Sequence, residues 1–179
     1  MHTTQAIEGI TLATFAFQES SHILSVFTKE LGRIKCVTKS FRKNQLRGLC
    51  PLLGVELQVI PSDKELWKCK ECVVATSYPS LRTSLEHLQY AAQITNLLDK
   101  LLPLQHPVEH IYVLYEQFLI HLPNFSKPHV AACLFLEKYL VMEGMLESGS
   151  ALDLASFTAP YEGNVDVGYY QKLLHVIGR

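Results

Sequence analysis

In the first half of the chain, apolar residues alternate with polar or small ones at a period of two. Ile10 and Leu12 do so between Glu8 and Phe17, and Leu24 and Val26 flank Ser25. After a turn at Leu31-Gly32, Ile34 and Cys36 alternate with Arg33, Lys35 and Lys39. Leu53, Val55, Leu57 and Val59 then alternate with Gly54, Glu56 and Gln58. Pro61-Ser62-Asp63-Lys64 is a turn signal, and the run Leu66 to Tyr78 behind it is rich in β-formers such as Trp67, Val73 and Val74. Such patterning predicts strands with one buried face. Five strands in about eighty residues suit a small closed barrel, for which the five-stranded OB-fold is the template.

The period changes at Tyr78-Pro79-Ser80. Leu81, Leu85, Leu88, Ala92, Leu98 and Leu102 recur mostly at helical spacing until Pro103 stops the run. A second helix is predicted from Val108 to His121, ended by Pro123. A third is predicted from an N-cap at Ser126 through Leu134, Glu137 and Leu140 to Met145, before the Ser148-Gly149-Ser150 break. Thr158 to Val167 reads as loop, and Tyr169 to Ile177 as a last short helix. The expected fold class is therefore α+β. An OB barrel over residues 1–79 is followed by a small helical bundle over 80–179.

Composition changes this picture little. At 48% hydrophobic, 179 residues hold enough apolar material for a packed core, which excludes a disordered chain. No window reaches the roughly 20 apolar residues of a membrane helix. The first twenty residues carry Glu8 and Glu19 and no Lys or Arg, unlike a secretory leader, so the expected compartment is the cytoplasm. Cys36, Cys50, Cys69, Cys72 and Cys133 are odd in number and loosely spaced, which argues against a disulfide framework.

Charge changes it more. The formal net charge of −1 hides ten Lys/Arg against seven Asp/Glu up to Ser80, and six against ten from Leu81 onward. Between Thr28 and Gly48 stand Lys29, Arg33, Lys35, Lys39, Arg42, Lys43 and Arg47, opposed only by Glu30. An anionic polymer responds to this local density and not to the overall balance. Arg33, Lys35 and Lys39 share one strand face, so a row of cations is expected toward solvent while Ile34 and Cys36 face the core. Phe41 lies next to Arg42 and Lys43 and offers a ring on which a base can stack.

Catalytic motifs are weak by comparison. His106-Pro107-Val108-Glu109-His110 has the letters of a zinc-peptidase H-x-x-E-H, but Pro107 places His106 at or before the helix start. Cys69-Lys70-Glu71-Cys72 is a single CxxC in a predicted strand, where an offset of three points the thiols to opposite faces. Gly144 and Gly149 are spaced like a phosphate loop, but Ser150 stands where Lys is required. No enzyme activity, cofactor or metal is expected.

An ordered set of short matches runs through the first hundred residues. It comprises Glu8-Gly9-Ile10, Glu19-Ser20-Ser21-His22-Ile23-Leu24, Phe27-Thr28, Gly32-Arg33-Ile34, Lys39, Arg42-Lys43, Leu46-Arg47-Gly48 and Pro51. Tyr78-Pro79, Leu81-Arg82, Leu88, Tyr90-Ala91 and Asp99 continue it. With these the chain resembles the RecO family of recombination mediators. It departs at Ser21, where the family commonly has Asp, and at Ser40, where it commonly has Gly. No cysteine follows Cys133, so the family's zinc cluster is not expected, and the chain ends early compared with typical members.

The resemblance implies an N-terminal OB-fold that binds single- and double-stranded DNA, anneals complementary strands and helps load a recombinase. It implies a RecR-like ring protein as partner, and the acidic tail of single-strand-binding protein, for which the net −4 of the second half is a poor match. The implied DNA surface is Arg33, Lys35, Lys39, Arg42, Lys43 and Arg47, with Lys29 and Phe41 as additions. Three other readings remain open on the residues: an RNA-binding OB module, a scaffold that binds protein partners only, and, against the expectation above, an enzyme using His106, His110 or the cysteines.

Overall fold

The computed structural model describes residues 3–18, 21–39, 50–150, 155–158 and 165–178. Five strands, β1 (Gln5–Phe17), β2 (Ser21–Thr28), β3 (Gly32–Lys39), β4 (Gly54–Ile60) and β5 (Leu66–Thr76), close into a barrel in the order β1-β2-β3-β5-β4. All pairings are antiparallel except β3 with β5, which run parallel. This is the OB-fold. Its interior is built from the alternating positions expected above: Leu24, Val26, Ile34, Cys36, Val55, Leu57 and Val59, joined by Trp67 from β5.

Helices α1 (Leu85–Leu101), α2 (Glu109–His121), α3 (Pro128–Met142) and α4 (Val167–Ile177) follow. Among the described residues, no helix is long and apolar enough to cross a membrane. The chain forms two compact units. One holds Met1–Pro79 with Ala92–Tyr112, and the other holds Ser80–Ala91 with Val113–Arg179. Thus Ala92–Tyr112, beyond Pro79 in sequence, goes with the barrel.

In the second unit, α3 is buried nearly all round, from Val130 to Leu140. Phe135 packs against Phe118 with ring centroids 5.2 Å apart, and Phe157 lies 6.1 Å from Phe118. Buried Glu137 accepts a hydrogen bond from the Tyr169 hydroxyl (3.0 Å) and another from Ser150.

Three sequence expectations need correction here. Ser126 is not the N-cap of α3; Lys127 is, because Pro128 has no N–H and takes the first helical position. α3 stops at Met142 and not at Met145. Gly144 adopts φ +69, its N–H bonds to Val141 O, and Met145 N–H bonds to Leu140 O, which together make a Schellman cap. The run of apolar positions from Leu81 is not one helix: Leu81 lies in a separate 3-10 turn, Pro79–Thr83, and α1 starts at Leu85, which is 73% exposed.

In the first unit, the segment between α1 and α2 is stitched to the start of β3. Gln105 N–H donates to Arg33 O at 2.7 Å, and Leu104 bridges Arg33 in parallel. Gly32 makes the approach possible. It sits at φ +70, and a Cβ there would lie 1.9 Å from the His106 carbonyl oxygen. Thr28 closes the β2–β3 turn by accepting from Leu31 N–H and donating to Gly32 O. One turn along α1, Asp99 reaches the outer surface of β2 and β3. Its Oδ1 accepts from Ser25 Oγ at 2.5 Å and from Arg33 Nη1 at 3.2 Å.

The Arg33–Asp99 side chains are only 12% and 18% exposed. Removing one partner from such a pair leaves an uncompensated buried charge, at a cost of about 3 kcal/mol or more. Asp99→Ala is therefore expected to lower the unfolding free energy by about 3 kcal/mol, read by urea unfolding of the barrel through Trp67 fluorescence. Adding Arg33→Met should recover part of that loss. Single and double variants that simply add would show that the pair does not couple the segments.

Candidate nucleic-acid interface

The outer surface of the barrel is read from the pairing registers. Adjacent rows run Ile10–Phe27–Arg33, Ala13–Ser25–Lys35, Phe15–Ile23–Val37 and Phe17–Ser21–Lys39 across β1, β2 and β3. Val37 pairs onward with Lys68 of β5. A bulge in β1 at Leu12 sets this parity, since the register steps from Thr11–Val26 to Ala13–Ser25.

These rows divide into two regions. At the first two, the helical segment covers the sheet. Phe27 is fully buried with its ring edge-on to Tyr112 at 5.3 Å, and Ser25 and Arg33 meet Asp99. Beyond them the surface opens: Phe15 is 48% exposed, Ile23 and Val37 are half-buried, and Lys68 is exposed.

The predicted cations therefore do not form one solvent-facing row. Arg33 is a correction, because its guanidinium is withdrawn into the pair with Asp99. Lys29 remains exposed and pairs with Glu109 at 3.1 Å. Lys35 is half-buried, and neither it nor Lys68 has an ion-pair partner among the described residues. Lys39 continues the row along the β3 backbone opposite Ser21. Phe41, Arg42, Lys43 and Arg47 lie outside the described residues. The Thr11 hydroxyl donates to Cys50 O at 2.8 Å and accepts from Leu53 N–H at 3.0 Å.

Sequence reasoning missed Phe15 and Lys68. Phe15 alternates with small residues inside a long apolar strand, and its exposure depends on the Leu12 bulge and on β1 running on past β4. Lys68 joins the row only through the parallel β3–β5 pairing.

The other side of the barrel has the opposite character. Glu8 stands directly across from Glu56, and these line a cleft with Glu30 and Glu71. Carboxylates this dense repel a polyanion, so electrostatics favours the β1-β2-β3-β5 side for nucleic acid.

Comparison with known proteins agrees with this geometry. Residues 1–78 match the family described as recombination protein O N terminal. The N-terminal barrel belongs to the RecO family. The chain is 29% identical over 143 residues to a protein named DNA repair protein RecO from Caldicellulosiruptor saccharolyticus, covering 76% of this chain and 57% of that one. A protein of the same name from Acaryochloris marina is 30% identical over 139 residues, covering 75% of this chain and 46% of the relative. The one from Exiguobacterium sp. is 28% identical over 98 residues, covering 54% and 39%. The chain thus spans about half the length of the curated relatives it matches. The longer alignments run well past residue 78, so the likeness continues into the helical segments.

The CxxC of this RecO-family barrel sits differently from expectation. Cys69 and Cys72 were expected on opposite strand faces, yet both are buried in the barrel core with Cys36. The pairing explains it: Val59 opposes Cys69 and Gln58 opposes Glu71, so Lys70 is bulged out and the two thiols regain the same side. A hydrogen bond with Cys69, and then burial, push the Cys36 thiol upward, and burial pushes Cys72 up to about 12. Cys133, in α3, is pushed up to about 12 by burial and by the Glu137 charge.

A thiol titrating near 12 is only roughly one part in ten thousand thiolate at pH 8. A disulfide reagent at pH 8 should therefore modify half-buried Cys50 first. It should leave Cys36, Cys72 and Cys133 untouched until denaturant is added. Fast modification of all five thiols in the native protein would contradict the buried arrangement.

Proposed function

We propose that this chain is a non-enzymatic DNA-binding protein of recombinational repair, one that captures single strands and brings complements together so that a recombinase can be loaded. The relatives it matches are named DNA repair proteins, which supports the repair role. The observation that carries DNA binding is the open end of the β2–β3 surface. Half-buried Lys35 stands at its edge, in the last row that the helical segment reaches, without an ion-pair partner among the described residues; Lys39 follows it in sequence, and the chain then enters the basic stretch holding Arg42, Lys43 and Arg47. On OB-folds this surface and its neighbouring loops are the usual oligonucleotide site.

The mechanism is electrostatic capture. Lysine and arginine displace condensed counterions from phosphates, and no reacting group is required. Arg33 and Lys29 stay with their carboxylate partners, leaving Lys35, Lys39, Arg42, Lys43 and Arg47 as the cations on offer. The protein partners of this reading are a RecR-like ring and, less well matched in charge, the acidic tail of single-strand-binding protein. The binding surface would be assembled from the barrel alone.

With about five phosphate contacts, log affinity for a single-stranded oligomer should fall with log salt at a slope near −3.5 to −4.5. A fluorescence anisotropy titration at several salt concentrations measures it. Lys39→Glu with Arg42→Glu should abolish binding at moderate salt, whereas Glu56→Gln on the acidic side should not weaken it. A flat salt response, or tight binding by the double variant, would sink the reading. Tighter binding of a matched RNA oligomer would move it to RNA.

A further inference from the structure

The open part of the barrel surface holds more than charge. Phe15 exposes about half of its surface, 48%, on a strand whose neighbours in the same row, Ile23 and Val37, are β-branched and half-buried. Directly opposed side chains on adjacent strands lie roughly 5 Å apart, so Ile23 flanks the Phe15 ring and Val37 continues the support. Successive rows on one face are separated by two residues, roughly 6.7 Å. Lys35 therefore belongs to the row on one side of this apolar strip and exposed Lys68 stands at its end, while by backbone register alone position 39 belongs to the row on the other side. No residue of these rows is acidic: the remainder are Ala13, Phe17, Ser21 and Ser25. An apolar strip edged by cations and lacking carboxylates complements a chain of phosphates whose bases are free to lie flat.

From this we infer that Phe15, backed by Ile23 and Val37, is a base-stacking platform for single-stranded DNA, and that it makes the site prefer unpaired bases over duplex. The inference rests on the DNA-binding reading above and adds to it the residue that sets strand preference. The physical basis is selective access. In a duplex the bases are stacked on one another and only phosphates reach Lys35 and Lys39. In a single strand a base can leave its neighbours and cover the Phe15 ring, removing apolar surface of both from water. Stacking on an aromatic side chain is tolerant of base identity, since every base has a π-face, so strand state and not sequence is selected.

The first test needs no variant. A labelled oligo-dT and an abasic oligomer of equal length carry the same phosphates, but only one has bases. Wild-type protein is expected to bind oligo-dT about 5- to 150-fold more tightly, with the same salt slope for both. The second test uses Phe15→Leu, which keeps an apolar side chain at a half-exposed position but offers no ring. Its affinity for oligo-dT should fall to that for the abasic oligomer, while its affinities for the abasic oligomer and for duplex stay at wild-type values. Phe15→Tyr should restore the preference. Equal binding of oligo-dT and abasic oligomer by wild type would overturn the stacking platform and leave the electrostatic reading standing. So would a Phe15→Leu variant that retains the full preference. Binding of neither oligomer at low salt would overturn the electrostatic reading, and the platform with it.

Discussion

The contact on which the barrel surface depends is the one between Asp99 and the pair Arg33 and Ser25. It joins residues 66 and 74 positions apart in sequence. Both partners are mostly shielded from water, so the attraction is little screened, and leaving either alone would strand a charge. The contact needs the inter-helical segment to approach β3 closely. That approach exists because position 32 is glycine at positive φ, with no Cβ to strike the His106 carbonyl. Phe27 against Tyr112 and Lys29 against Glu109 extend the same seam. Sequence, backbone geometry and burial thus act together at one end of the β2–β3 surface.

A consequence of that seam is a division of labour among cations that look alike in sequence. Arg33 is structural, and Lys29 is tied at the rim. Lys35 and Lys39 follow two and six residues beyond Arg33, toward the rows where Phe15 and Lys68 are exposed. Phe15 and Lys68 reach these rows from β1 and β5. Glu8, Glu30, Glu56 and Glu71 line one cleft on the other side of the barrel. A chain whose formal net charge is only −1 carries a barrel with a polarised surface in this way, one side suited to a polyanion and the other repelling it.

The barrel was legible because its strands alternate, so the period-two pattern from Leu24 to Val59 identifies the core residues directly, whereas in β1 Ile10 lies on the outer row and Leu12 in a bulge. The helices were legible from recurring apolar positions and from the stops at Pro103 and Pro123, whereas the start of α3 at Pro128 was misplaced at Ser126. What escaped sequence reasoning are features decided by single-residue offsets or by distant contacts. The bulge at Lys70 returns Cys69 and Cys72 to the same side, which no alternation rule anticipates. The bulge at Leu12 sets which of the β1 side chains face outward, and so exposes Phe15. Arg33 carries the same charge and spacing as Lys35, and only the packing of Asp99 against it separates their roles. Gly144, readable as a helix stop, was passed over in favour of the more conspicuous Ser148-Gly149-Ser150.

The central claim is spatial: nucleic acid occupies the open side of the barrel, beyond the Arg33–Asp99 seam, and not the acidic cleft. Hydrogen exchange on the protein with and without a saturating single-stranded DNA oligomer tests it most directly. The account predicts slowed exchange in peptides covering residues 13–17, 21–25 and 35–39, with residues 5–8 and 54–58 unchanged. Protection centred on 5–8 and 54–58, or none in the barrel while DNA is bound, would contradict it.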